Sequence, residues 1–259
     1  MHSLATIRNV LEEVRNGTVT LDEAERRISG LQMEVVEDIA RLDLGRPVRC
    51  GTPEIILAEG KEPKDLASIA VRLTRASGRC IISRVGEDHL SVVSARCKEE
   101  GIEMEVEKAA KMVILSCGVN RPVQRGVVAI LTAGTADIPV AEEARVISLE
   151  MGCTVRIAYD VGVAGIHRLF SALKGMTDAH VYVVAAGREG TLPAIVAGLV
   201  DSPVIGVPVS SGYGHMGKGE AALASMLQSC SVLAVVNIDA GVTAGIFAAR
   251  IARMVTEHE

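Results

Sequence analysis

The second half of the chain repeats one pattern five times: a short run of consecutive apolar residues, a loop of glycine and small polar residues, then a segment with helical spacing. In runs such as Val-Tyr-Val-Val-Ala-Ala (181–186) and Val-Leu-Ala-Val-Val-Asn-Ile (232–238) the sequence reads as apolar on both faces. A strand of that kind must be covered on both sides, and alternation with helices is how a parallel sheet is covered. The runs place strands at 127–132, 154–158, 180–185, 203–208 and 233–238, with helices at 139–151, 163–174, 192–200, 219–228 and 242–254. The predicted architecture is a doubly wound parallel sheet.

The first half reads differently. It carries 39 of the Asp, Glu, Lys and Arg residues in 125 positions against 20 in the remaining 134, while glycine is enriched in the second part. Gly118-Val119-Asn120-Arg121-Pro122 punctuates the junction, which divides the chain into domains 1–122 and 123–259. Leu4, Ile7, Leu11 and Val14 recur at helical spacing up to Gly17, and Thr20 with Glu23 forms a capping-box signature for a second helix. A third amphipathic helix is expected over 31–42. Strands at 54–57, 80–83 and 112–116, separated by helical patterns at 63–76 and 87–100, complete a small α/β domain behind a helical lead-in.

Composition excludes several classes of function. With 27 basic and 32 acidic residues the net charge is −5, and two Phe, three Tyr and no Trp leave little on which bases can stack, so nucleic acid is not an expected partner. No apolar run approaches the roughly 20 residues that span a bilayer. The first 16 residues carry Arg8, Glu12, Glu13 and Arg15 where a secretory signal needs an apolar core, so a cytoplasmic location is expected. Cys50, Cys80, Cys97, Cys117, Cys153 and Cys230 stand singly, as reduced thiols do.

In doubly wound folds ligands bind beyond the carboxyl ends of the strands, which selects the loops 133–138, 159–161, 186–191, 209–219 and 239–241. Gly134-Thr135-Ala136-Asp137 precedes Pro139 at a helix start, where free amides suit a phosphate and where Thr135 or Asp137 equally suits a cap. Neither GxGxxG nor a P-loop lysine pattern is present. Ser210-Ser211-Gly212-Tyr213-Gly214-His215-Met216-Gly217-Lys218-Gly219 lets backbone approach a ligand closely. Cys230 lies between a helix and the last strand and reads either as a small buried residue or as a nucleophile. His167 and Arg168 fall on the first turns of a helix. Glu189, in a strand-to-helix loop, reads as a cap, an ion-pair partner or a base.

Taken together, Gly-Thr-Ala-Asp-Ile-Pro-Val-Ala-Glu-Glu-Ala (134–144), Tyr-Asp-Val-Gly-Val-Ala-Gly-Ile-His-Arg (159–168), Ala-Gly-Arg-Glu-Gly-Thr-Leu-Pro-Ala-Ile-Val-Ala-Gly-Leu (186–199), Pro-Val-Ile-Gly-Val-Pro (203–208) and Gln-Ser-Cys (228–230) with Val-Val-Asn-Ile-Asp-Ala-Gly (235–241) resemble the LarB family of nickel-pincer cofactor biosynthesis. Arg49-Cys50-Gly51-Thr52-Pro53-Glu54 and Glu59-Gly60-Lys61 resemble that family's first domain, and the second half is also similar to PurE, the aminoimidazole ribonucleotide carboxylase or mutase. PurE has a histidine in its Ala-Ala-His-Leu-Pro stretch, where this chain has Glu189-Gly190-Thr191-Leu192-Pro193; LarB has a glutamate there and a cysteine at the place of Cys230. Ala136 and His215-Met216-Gly217-Lys218 depart from the LarB pattern.

The resemblance implies a PurE-like, flavodoxin-like second domain. It implies carboxylation of the pyridinium ring of nicotinic acid adenine dinucleotide by carbon dioxide or bicarbonate, with hydrolysis of the phosphoanhydride, giving pyridinium-3,5-biscarboxylic acid mononucleotide and AMP. Cys230 is then the covalent nucleophile and Glu189 the base, with a pKa raised by burial. Gly134, Thr135, Asp137, Asp160, His167, Arg168, Gly187, Ser210, Gly212, Gly214, His215, Lys218, Asn237 and Asp239 would bind substrate. No tightly bound cofactor is implied; Mg²⁺ held by Asp137, Asp160 or Asp239 stays open, as does contact of the adenylate end with Arg46, Arg49 and Lys61. A homo-octamer is the implied assembly. The competing readings are a PurE-type carboxylase and a nucleotide-binding protein without catalysis.

Overall fold

The computed structural model describes residues 7–36 and 39–256. Two compact units divide the chain: Met1–Val106 with Val113–Val119, and Glu107–Met112 with Asn120–Glu259.

The first unit opens with α1 (Ile7–Arg15) and α2 (Leu21–Ser29). The Thr20 hydroxyl accepts from the Glu23 amide at 3.3 Å, while the Glu23 carboxylate turns to Arg26 and Arg27. Leu4 and residues 37–38 lie outside the described residues. The helix expected over 31–42 is instead the antiparallel pair β1 (Glu34–Val36) and β2 (Ala40–Leu42), registered Glu34 to Leu42 and Val36 to Ala40. Pairing turns Val36 and Leu42 into one core, a demand that short apolar spacing meets as a strand as well as a helix.

After α3 (Arg46–Cys50) come β3 (Ile55–Leu57), α4 (Pro63–Ser77), β4 (Arg79–Ser83), α5 (Glu87–Glu100), β5 (Glu103–Glu107) and β6 (Met112–Ser116). The sheet order is β3-β4-β6-β5, with β3 parallel and β6 antiparallel to β4. Leu66, Ala70 and Leu73 of α4 pack with Ile82, Val113 and Leu115, each large side chain contributing roughly 1.5–3 kcal/mol by leaving water. Gly78 ends α4 at φ 80°, and any Cβ there would lie 2.5 Å from Val119 Cγ2, so glycine is required for the chain to turn under Val119.

The second unit runs β7 (Val127–Thr132), α6 (Ile138–Glu150), β8 (Thr154–Ala158), α7 (Ile166–Lys174), β9 (Val181–Ala186), α8 (Thr191–Ala197), β10 (Val204–Pro208), α9 (Glu220–Leu227), β11 (Ala234–Val235) and α10 (Gly241–Thr256). All five strands are parallel, in the order β8-β7-β9-β10-β11. This is a flavodoxin-like doubly wound sheet. Leu169, Leu192, Val196 and Met226 of α7, α8 and α9 cover one face over Leu131, Tyr182 and Val184. On the other, α6 and α10 pack against each other and the sheet. A Cβ at Gly241 would come within 2.1 Å of the Val140 carbonyl, and one at Gly245 within 2.8 Å of that of Ala144, so small residues set the distance between these helices.

The expected strand 233–238 shrinks to Ala234–Val235. It is an edge strand, and the chain leaves the ladder through Asp239 at φ 54°. Among the described residues no helix is long and apolar enough to cross a membrane.

Candidate active site

In this strand order the connection leaving β7 crosses to β8 on one side, while β9 lies on the other, so the loops after β7 and β9 part at the carboxyl edge. A cleft of about 420 Å³ opens there, lined by Gly134 and Asp137 after β7, Gly162 and Arg168 after β8, Gly187 to Leu192 after β9, and Ser211 and Tyr213 after β10.

Asp137 ties these loops together. Only 4% exposed, it accepts from the Gly134 amide at 2.9 Å, the Gly187 amide at 3.1 Å and the Ser211 hydroxyl at 2.8 Å. Burial pushes its carboxyl above the ordinary value, and the three donors pull it part of the way back. Gly187 leaves the room this needs: a Cβ there would lie 2.5 Å from Ser211 Oγ.

Glu189 lines the cleft with its side chain largely in solvent, its carboxylate 4.0 Å from Arg188 Nε. The burial expected around Glu189 is not supplied by its own chain. Arg168, also at the cleft, pairs with Asp160, whose amide donates to the Thr132 hydroxyl at 3.0 Å. Arg188 lies with its guanidinium carbon 4.6 Å from the centroid of the Tyr213 ring.

The structure thus gathers Gly134, Asp137, Arg168, Gly187 and Glu189 at one cleft. Thr135 and His167 are exposed beside it without lining it. Ser210, Gly212, Gly214, His215 and Lys218 belong to a loop folded on itself, with the Lys218 backbone amide donating to the Gly212 carbonyl at 3.1 Å and the Gly217 amide to that of Gly214 at 3.2 Å. Asn237 caps its own turn through the Ile238 amide, and Asp239 accepts from the Ser210 amide at 2.9 Å.

Asp137, Asp160 and Asp239 are each engaged with donors in separate loops, and no three His, Cys, Asp or Glu side chains gather as metal ligands among the described residues. That donor set does not fit a Mg²⁺ site.

Cys230 is exposed. It sits between the end of α9 and the start of β11, at the amino edge of the sheet, whereas Glu189 follows β9 at the carboxyl edge. One chain therefore does not bring the two together. In the first unit Arg46 pairs with Glu54 at 3.1 Å and Arg49 with Asp43 at 2.6 Å, and the Lys61 carbonyl meets His89 Nε2.

Sequence reading passed over Arg188, Ser211 and Tyr213 as site residues. The signal for Tyr213 was scarcity: an aromatic placed in a glycine loop of a chain with three tyrosines. Nothing in the sequence marks Ser211 as the partner of Asp137, 74 positions away.

Residues 127–258 match the model of a family described as AIR carboxylase, and residues 33–117 that of the LarB/PurE-like N-terminal domain. The chain is 41% identical over 253 residues to an uncharacterized protein of Methanocaldococcus jannaschii, covering 96% of this chain and 97% of that one. It is 31% identical over 135 residues to the N5-carboxyaminoimidazole ribonucleotide mutase of the same organism, covering 51% of this chain and 82% of the mutase. The corresponding mutase of Pyrococcus horikoshii is 32% identical over 136 residues, 49% of this chain and 73% of that protein.

Proposed function

Because the chain belongs to the LarB family, with that family's N-terminal domain followed by a PurE-like AIR carboxylase domain, we propose that it carboxylates the pyridinium ring of nicotinic acid adenine dinucleotide and hydrolyses the phosphoanhydride, as a first step of nickel-pincer cofactor biosynthesis. Its domains are those of carboxylase-related enzymes. The observation that carries the finer reading is the combination, in one AIR carboxylase-type unit, of a cleft presenting the Glu189 carboxylate with an accessible thiol at Cys230.

The chemistry explains why both groups are needed. A pyridinium ring is electron-poor, and its carbons do not attack carbon dioxide. Addition of the Cys230 thiolate to the carbon opposite nitrogen makes a neutral dihydropyridine, whose enamine carbon next to the sulfur-bearing one forms the new carbon–carbon bond. Glu189 then takes the proton from that carbon, the ring electrons re-form the pyridinium, and the thiolate leaves. Water cleaves the phosphoanhydride to release AMP. Arg168, which lines the same cleft, is the group nearest to hand for phosphate. A reducing cytoplasm would keep Cys230 a thiol.

Since Cys230 and Glu189 stand at opposite edges of one sheet, the reading requires one copy's Cys230 to meet another copy's cleft in a homo-oligomer, the octamer of PurE-like proteins being the expected form. Exposed Leu227 (66%) and Val232 (92%) flank Cys230 in sequence, an apolar surface suited to such a contact. Turnover with the dinucleotide and bicarbonate, followed by mass spectrometry for AMP and the biscarboxylic product, is the test. Cys230→Ala should abolish product and Glu189→Gln should cut turnover about 10²- to 10⁴-fold, whereas assemblies mixed from the two variants should recover part of it. Undiminished synthesis by Cys230→Ala overturns the covalent reading.

The similarity to N5-carboxyaminoimidazole ribonucleotide mutases favours one alternative, action on an aminoimidazole ribonucleotide without a thiol. In that case Cys230→Ala keeps activity on that substrate.

A further inference from the structure

The cleft contains a feature that neither the nucleophile nor the base accounts for. Tyr213 is 76% exposed, a large ring held in the open at the cleft. The Arg188 guanidinium carbon lies 4.6 Å from the ring centroid. The partners are fixed by backbone. Arg188 occupies the left-handed region at φ 47°, and Gly212 presses its loop so close that a Cβ there would lie 2.9 Å from the Arg188 amide nitrogen. The loops after β9 and β10 therefore hold an aromatic face and a flexible planar cation opposite each other, with the Glu189 carboxylate 4.0 Å from the same guanidinium.

An aromatic face attracts cations through its quadrupole, and a flat cation can also stack on it. A pyridinium ring is a flat cation of similar width to a guanidinium, and a pyridinium-3-carboxylate also carries an anion that a guanidinium can pair with. We propose that the Tyr213 ring is the platform on which the substrate's pyridinium ring lies, and that Arg188 leaves this face on binding to pair with the ring's carboxylate. The proposal rests on the reaction proposed above and names the residues that select its ring. The exchange keeps charge balanced: the face passes from one cation to another, and Arg188 passes from a π face to a carboxylate. It also parts Arg188 from Glu189, leaving that carboxylate unpaired beside the ring.

Two preferences follow for the full-length chain. A cationic ring should bind better than its reduced, neutral form, and an acid better than the amide. Nicotinamide mononucleotide against its dihydro form reads the first; nicotinic acid mononucleotide against nicotinamide mononucleotide reads the second. By calorimetry, Tyr213→Leu should weaken nicotinic acid mononucleotide about 5- to 30-fold and erase the preference for the cationic ring, while Tyr213→Phe stays within about 2-fold of wild type. Arg188→Gln should erase the preference for the acid. Tyr213 is exposed, and circular dichroism checks that the variants are folded. Wild type binding these nucleotides with Tyr213→Leu unchanged in affinity and preference overturns the platform and leaves the reaction standing. Wild type with no affinity for any pyridinium nucleotide overturns the reaction, and the platform with it.

Discussion

Replacing Asp137 tests whether one carboxylate holds the cleft together. In Asp137→Ala the Gly187 amide, which is buried, loses its carboxylate acceptor, at about 1–3 kcal/mol; the half-buried Gly134 amide loses its own at about 1 kcal/mol; and the Ser211 hydroxyl turns to water at little cost. The sum is about 2–4 kcal/mol, or a fall in melting temperature of about 5–12 °C for a chain of this size. Asp137→Asn keeps an acceptor toward Gly187 and Ser211 but sets an amino group against the Gly134 amide, for about 1–2 kcal/mol. The pH dependence carries a sign. Burial leaves the native carboxyl above its ordinary value of 3.8, so the native state holds this proton where the unfolded chain has released it. The group's contribution is complete below 3.8 and is lost as pH rises through the native value. Asparagine does not titrate, so the lead of wild type over Asp137→Asn should be larger at pH 4 than at pH 7. Thermal and urea unfolding at the two pH values measure it. A cost below 1 kcal/mol for Asp137→Ala, or a lead that grows with pH, refutes the reasoning.

Glu189→Gln should lower turnover about 10²- to 10⁴-fold with little change in KM, as loss of a base that acts only in the chemical step requires; steady-state kinetics with the dinucleotide decide it. Gly241→Ala should destabilise the chain by about 1–3 kcal/mol, because its new methyl would lie 2.1 Å from the Val140 carbonyl and α6 and α10 must move apart; an unchanged melting temperature contradicts that. A thiol reagent at pH 8 should label Cys50, Cys117 and Cys230 in the native chain. Burial should protect Cys80 and Cys97, which it pushes up, and Cys153, which it raises to about 11. Peptide mapping of the labelled sites reads the outcome.

The parallel sheet was legible because β7, β9 and β10 are buried on both faces, and such strands leave continuous apolar runs. The hairpin of β1 and β2 was not. Its strands have three residues each and bury one apiece, too little to separate a period of two from one of 3.6. Strand β5, Glu-Met-Glu-Val-Glu, alternates as an edge strand should, yet three glutamates disguised it as solvated chain. For the site, the rule that ligands gather at carboxyl ends picked out three loops that line the cleft, 133–138, 186–191 and 209–219. It did not reveal which side chains those loops direct at one another, because Asp137 meets Gly187 and Ser211 across 50 and 74 residues. The placement of Cys230 follows from topology alone: a residue between a helix and the next parallel strand lies at the amino edge.

With three connections anchored to the single Asp137 side chain, each segment meets the others chiefly through a donor offered at the right spot and, between the loops after β9 and β10, through the close approach of Gly212 to Arg188. Connections of that kind are interchangeable parts. The stretch after β10 can be swapped for one of different length and chemistry, provided a hydroxyl returns to position 211 and positions 187 and 212 stay without side chains, and the scaffold would then present a new ligand surface without being rebuilt.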